Sequence, residues 1–124
     1  MRVITPSSEP VTTPAATMTT LAAPSLGSRE LSTWRVEMAP GTAGPEHTVD
    51  REQIWMLTRG ALEITADSGI HTARAGQAVV LPAGTVRQVA CAADEPAEAL
   101  VVMASDGRAA VPGDPASRPV PWAQ

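Results

Sequence analysis

The sequence predicts an all-β chain, a sandwich or barrel of short strands, and two observations carry that prediction. No window of useful length sustains the i, i+3, i+4 recurrence of an amphipathic helix, and twelve prolines interrupt the 124 residues. Short runs that alternate apolar and polar residues recur instead, each bounded by Gly, Pro or Asp.

The runs are read in order. Trp34, Val36 and Met38 alternate with Thr33, Arg35 and Glu37, and the stretch APGTAGP ends that strand. Gln53 to Arg59 is the next. Gly60 permits a sharp turn into ALEITA at 61–66. DSG at 67–69 then turns the chain into IHTARA at 70–75, which predicts a hairpin with a three-residue loop carrying glycine. QAVVLP at 77–82 is a strand stopped by Pro82, which has no amide to donate. TVRQVAC at 85–91 and EALVVMA at 98–104 complete the core. Residues 1–28, rich in Thr, Pro, Ser and Ala, read as an N-terminal arm with one or two edge strands. Residues 105–124 hold four of the twelve prolines and read as a C-terminal tail extended over the surface, which leaves 29–104 as the barrel.

Charge and composition exclude several classes. A net charge of −4 with nine scattered arginines argues against nucleic acid, whose phosphates call for clustered cations. The single cysteine, Cys91, rules out an internal disulfide and fits a reducing compartment. No apolar run approaches the roughly 20 residues of a membrane helix, and MRVITPSSEP lacks the continuous apolar core of a signal peptide. The expectation is a cytoplasmic protein with neither nucleic-acid nor membrane partners.

Two glycine-spaced stretches add family information. In the first, Gly41 is followed after five residues by His47, and PEHTVDREQIWMLTRG closes on Gly60. In the second, GQAVVLPAGTVRQVAC supplies Gly76, Pro82 and Gly84. Together they resemble the two motifs of the cupin family over about residues 35–104. That resemblance implies a double-stranded β-helix, the jelly-roll or cupin barrel.

The resemblance also implies where metal ligands stand in metal-binding cupins: two histidines and a glutamate in the first motif, one histidine in the second. Here only His47 remains. Val49, Gln53 and Arg87 occupy the other three positions, and Cys91 replaces the asparagine that ends the second motif. Glu52 is one residue from the glutamate position, and in a strand that step turns it to the other face. A guanidinium at position 87 also repels a cation. No metal and no cofactor are therefore expected. His71, on the central hairpin where the family has no ligand, reads as a surface residue.

Alternation points Gln53, Trp55 and Leu57 inward, puts Arg87, Val89 and Cys91 on one face, and sets Val101 and Met103 on the opposite wall. The candidate catalytic residues are His47, Arg87 and Gln53. The candidate substrate-binding residues are Trp55, Arg87, Leu57, Val89, Cys91, Val101 and Met103, which would form an apolar cup with a few polar groups. Plainer roles stand beside these. Arg87 has a partner if Glu63, Glu98 or another acid lies inside; Trp55 serves equally as core; Cys91 reads as an inert buried thiol.

These residues predict a metal-independent protein acting on a small carboxylated or polyketide-like metabolite by proton transfer, as an isomerase, cyclase or dehydratase does. His47 would act as general acid or base, Arg87 would hold a carboxylate or enolate, and Gln53 would orient a carbonyl or hydroxyl. A non-catalytic small-molecule binding protein and a metal-dependent oxygenase with a degenerate site are the alternatives. A homodimer is expected, because small barrels leave edge strands to cover and the N-terminal arm offers a strand to lend.

Overall fold

The computed structural model describes all 124 residues, and strands dominate it as the alternation requires. In chain order these are β1 (Val11–Thr12), β2 (Ala16–Ala22), β3 (Leu31–Met38), β4 (Thr48–Val49), β5 (Gln53–Arg59), β6 (Ala61–Ala66), β7 (Gly69–Arg74), β8 (Ala78–Leu81), β9 (Arg87–Cys91), β10 (Ala97–Ala104), β11 (Arg108–Ala110) and β12 (Arg118–Pro119). One layer is a six-stranded sheet in the order β1-β2-β3-β10-β5-β8. The other joins β7-β6-β9 to β4-β11-β12 through bridges Ala43–Ala90 and His47–Arg87, so residues 43–49 run alongside β9. All pairings are antiparallel, and neither layer closes on itself. The result is a jelly-roll.

Side-chain size fits across the first layer. Trp34, Val101, Trp55 and Val79 stand in one row over four strands, and Val36, Ala99 and Leu57 in the next. The central strand β10 thus contributes small inward residues between large ones, which lets both indoles pack without strain. Leu62, Ile64, Ala73, Val89 and Cys91 answer them from the facing layer. Each fully buried Leu or Ile here contributes about 1.5–3 kcal/mol.

Three boundaries differ from the sequence reading. The hairpin loop is shorter: Ala66 pairs with Gly69, leaving only Asp67 and Ser68 outside the ladder, with Gly69 at φ 113°. The arm is more than an edge: β2 pairs with β3 over most of its length and buries Met18, so lending it to a second copy would unzip that pairing. The tail is not merely laid on the surface. Val120 and Ala123 join the core, Ser32 Oγ donates to the Ala123 carbonyl at 2.6 Å, and Thr20 Oγ1 donates to the Trp122 carbonyl at 2.7 Å. The core therefore runs past both residue 29 and residue 104. No helix is long and apolar enough to cross a membrane.

Gly60 sets the turn from β5 into β6. Its φ is +66°, and an added Cβ would run into the Pro96 carbonyl oxygen. Both effects forbid a side chain there. Gly60→Ala is expected to lower the unfolding free energy by about 2 kcal/mol or more, a left-handed alanine combined with a backbone clash. Urea denaturation of the two proteins checks it; equal midpoints would remove the role assigned to this glycine.

Candidate functional site

The site is built where β9 faces β5. The PAGT turn after β8 delivers Arg87 as the first residue of β9, and alternation then turns Arg87, Val89 and Cys91 inward. Gln53, the first residue of β5, faces it from the other layer, 3% exposed against 1% for Arg87. Arg87 Nη2 donates to Gln53 Oε1 at 2.6 Å, and Trp55 Nε1 donates to the same oxygen at 3.1 Å. Guanidinium and indole are donors only, so that atom is the carboxamide oxygen, and Nε2 must face the Met103 sulfur, 3.4 Å away.

Arg87 has no acidic partner. The chain's two ion pairs, Arg35–Glu37 and Arg51–Asp106, lie on the surface. Glu63 is exposed, and Glu98 accepts from the Thr58 hydroxyl at 2.8 Å on the outer side. Arg87 Nε and Nη1 are buried without any hydrogen-bond partner. Burial lowers the guanidinium pKa to about 10, which still leaves it charged at neutral pH. A buried charge facing only a neutral amide costs several kcal/mol, so the position is expensive for the fold alone.

His47 lies on the other side of β9. Its amide donates to the Arg87 carbonyl and its carbonyl accepts from the Arg87 amide, both at 3.0 Å, so the two residues are directly opposite and share a face. His47 Nδ1 lies 2.9 Å from the Pro45 carbonyl. A carbonyl only accepts, so Nδ1 carries the proton and the neutral ring keeps its lone pair on Nε2. Burial lowers the His47 pKa, the Pro45 hydrogen bond opposes that, and the Arg87 charge lowers it further. The half-buried ring is thus a neutral base near pH 7 with its tautomer fixed.

The apolar cup expected around these groups is instead packed core. Trp55, Leu57, Val89, Cys91, Val101 and Met103 all belong to one buried cluster, because the two indoles and Arg87 fill the space between the layers. Cys91 Sγ contacts the Glu95 carbonyl at 3.3 Å and the Met38 carbonyl at 3.6 Å, and burial pushes its pKa up, as suits an inert thiol. Open space lies elsewhere. A groove of about 510 Å³ runs between β7 and β8, floored by Ile64, Ala73, Val79 and Leu81. His71 borders it, its Nε2 2.8 Å from Ser68 Oγ. It is exposed, as the sequence suggests, yet it pairs with inward-facing Ile64 and so faces the groove. That parity across the hairpin was the available signal.

A profile of the cupin domain matches residues 34–103, more than half of the chain. The chain belongs to the cupin family. Its fold is similar to the polyketide cyclase RemF from Streptomyces resistomycificus, with 19% identity and a TM-score of 0.72 over 86% of this chain and 72% of that one. It is also similar to a sugar phosphate isomerase of the cupin superfamily from Silicibacter pomeroyi (25% identity, TM-score 0.65, 78% and 66% covered). KdgF from Halomonas sp. is a third (17% identity, TM-score 0.67, 77% and 84% covered). No curated protein sequence matches the chain significantly.

The donor set of this cupin does not fit a transition metal. Val49 is buried beside His47, the Gln53 oxygen is taken up by Arg87 and Trp55, and Arg87 holds the fourth position with its own charge. Nowhere in the chain do three His, Cys, Asp or Glu residues come together as a metal would need.

The depressed His47 pKa makes a pH prediction. The unfolded chain takes up this proton as pH falls through the ordinary value of 6.5, before the folded protein does. Stability should therefore fall on acidification through that range and level off below the folded pKa. His47→Gln should flatten this part of the profile. Thermal melts of both proteins across the range test it; parallel profiles would show that His47 titrates normally.

Proposed function

We propose that this cupin binds a small carboxylated, polyketide-like metabolite through Arg87 and transfers a proton with His47, without a metal. The observation that carries the reading is the buried guanidinium with two unbonded donor nitrogens and no acid in reach. Such a group is left idle by the fold and suits the anionic oxygen of a ligand carboxylate or a developing enolate, which would accept a charge-assisted N–H···O bond. His47 Nε2, a neutral base beside Arg87 on the same face, supplies the acid–base partner.

Arg87 would stabilise the charge that forms when His47 removes a proton next to a carbonyl. In an isomerisation the imidazolium returns that proton to another carbon. In a cyclisation the enolate carbon attacks a second carbonyl and the imidazolium protonates the alkoxide formed; removal of a second α-proton by His47, with protonation of the hydroxyl, then expels water. Gln53 takes a different part from the one the sequence suggests. Its oxygen is committed to Arg87 and Trp55, so it positions the guanidinium instead of orienting a carbonyl. Similarity to a cyclase and an isomerase agrees with this range of chemistry. The donor set at the four motif positions speaks against the oxygenase alternative.

Five outcomes test the reading. Carboxylates should stabilise the wild type by about 2.7 kcal/mol at a hundredfold excess over Kd, seen as a raised melting temperature. Arg87→Met should lose that effect and leave the empty protein equally or more stable, because an unpaired buried charge is gone. Gln53→Glu should pair with Arg87 internally and weaken carboxylate binding at least tenfold, about 1.4 kcal/mol. A destabilised Arg87→Met, with a wild type indifferent to every carboxylate, overturns the proposal. A chelator should leave the melting temperature unchanged; loss of stability on chelation, abolished by His47→Ala, would restore a metal reading. Turnover of a bound acid, lost in His47→Gln with binding retained, separates catalysis from binding alone.

A further inference from the structure

We infer that the groove between β7 and β8 receives the body of an extended carboxylate whose anionic end reaches Arg87, an inference that rests on the anion-binding reading of that residue. The groove's volume of about 510 Å³ suits a small organic ligand. It opens because β7 pairs only with β6 and β8 only with β5, so the two layers part at that margin. Its floor is apolar, and its lining holds no Asp, Glu or Arg.

Strand register locates its inner end. Leu81, which lines the groove, is the cross-strand partner of Gln53, and Ala66, which also lines it, is the partner of Arg87. Directly opposite residues share a face. The groove therefore ends one cross-strand step from the Arg87–Gln53 pair, and a ligand would reach the guanidinium by displacing the buried Leu81 side chain. His47 is the partner of Arg87 on the opposite side of β9. A ligand anchored at Arg87 would have its body in the groove and the imidazole base on the other flank of its anionic group.

The same register sets a length. His71 stands two strands from β9, about 9–10 Å, and one inward-facing step along from Ala66, about 7 Å, which places it roughly 12 Å from the backbone of Arg87. That span fits two fused rings better than one. His71 and Ser68 at the rim would meet a neutral polar group, a phenol or a ketone, at the far end. The ligand class is a bicyclic or longer aromatic or enone acid with an oxygen substituent remote from the carboxylate.

The probe is 6-hydroxy-2-naphthoate, compared by calorimetry with acetate and with 2-naphthol. The naphthoate should bind the wild type at least a hundredfold more tightly than acetate and tenfold more tightly than 2-naphthol. His71→Trp, a change at an exposed position, should fill the groove and weaken naphthoate at least tenfold while acetate is unaffected. Thr85→Trp, at the other wall, should act likewise should the first variant fold poorly. Naphthoate binding no tighter than acetate, or unchanged in a folded groove-filled variant, overturns the groove assignment. Arg87→Met should abolish binding of both acids; unchanged binding there defeats the anion reading itself, a separate result from failure of the groove.

Discussion

One hydrogen bond joins the two layers at their polar centre, from Arg87 Nη2 on β9 to Gln53 Oε1 on β5. Around it the sandwich is otherwise apolar, held by Trp34, Trp55 and the aliphatic rows that face them. The contact fixes how the guanidinium lies, and Trp55 Nε1 fixes the carboxamide from the other side. Because the partner is an amide, the charge is oriented but not cancelled. A carboxylate at position 53 would hold the layers together equally well and would cancel that charge. The neutrality of Gln53 is thus what leaves the Arg87 charge uncancelled.

Much of the fold is legible because strand parity is a local property. Trp34, Val36 and Met38, or Gln53, Trp55 and Leu57, show their buried face by alternation alone, and the observed burial follows it. The ends are less legible. Val120 and Ala123 sit in a proline-rich stretch with no period, which is held where Ser32 donates to the Ala123 carbonyl and Thr20 to the Trp122 carbonyl, both distant in sequence. Nothing within the tail encodes those partners. Asp67 and Ser68 mark the hairpin, but whether Gly69 belongs to loop or ladder depends on the pairing with Ala66.

The site divides the same way. Spacing places His47, Gln53 and Arg87 at the motif positions, and the fold brings all three together. Alternation also contained the answer to which acids reach Arg87. Leu62 and Ile64 face inward, so Glu63 between them faces out, and Ala97 and Ala99 do the same for Glu98. Packing density was not legible. A list of inward residues cannot distinguish a cup from a filled core, since that depends on the separation of the layers and on two indoles occupying it. Nor is a groove formed by two open sheet edges visible in any single strand.

On the proposed reading, Arg87 and Gln53 stand where the family resemblance places two metal ligands. A divalent cation bound by one carboxylate and neutral imidazoles carries one net positive charge, and a guanidinium against a carboxamide carries one as well. On that reading the electrostatic aid to a developing enolate would be similar in sign. The chemistry differs in two respects. A guanidinium has no exchangeable ligand, so it cannot lower the pKa of a bound water or bring oxygen to a substrate. It also directs its charge through fixed N–H bonds, which favours a flat carboxylate or enolate over a lone oxygen atom. On the metal-free reading proposed above, proton exchange would fall to the nearest base, His47, whose Nδ1 is tied to Pro45 and whose lowered pKa keeps Nε2 free. Gln53, Arg87 and His47 thus form one consistent set: an uncancelled positive charge with a neutral base beside it.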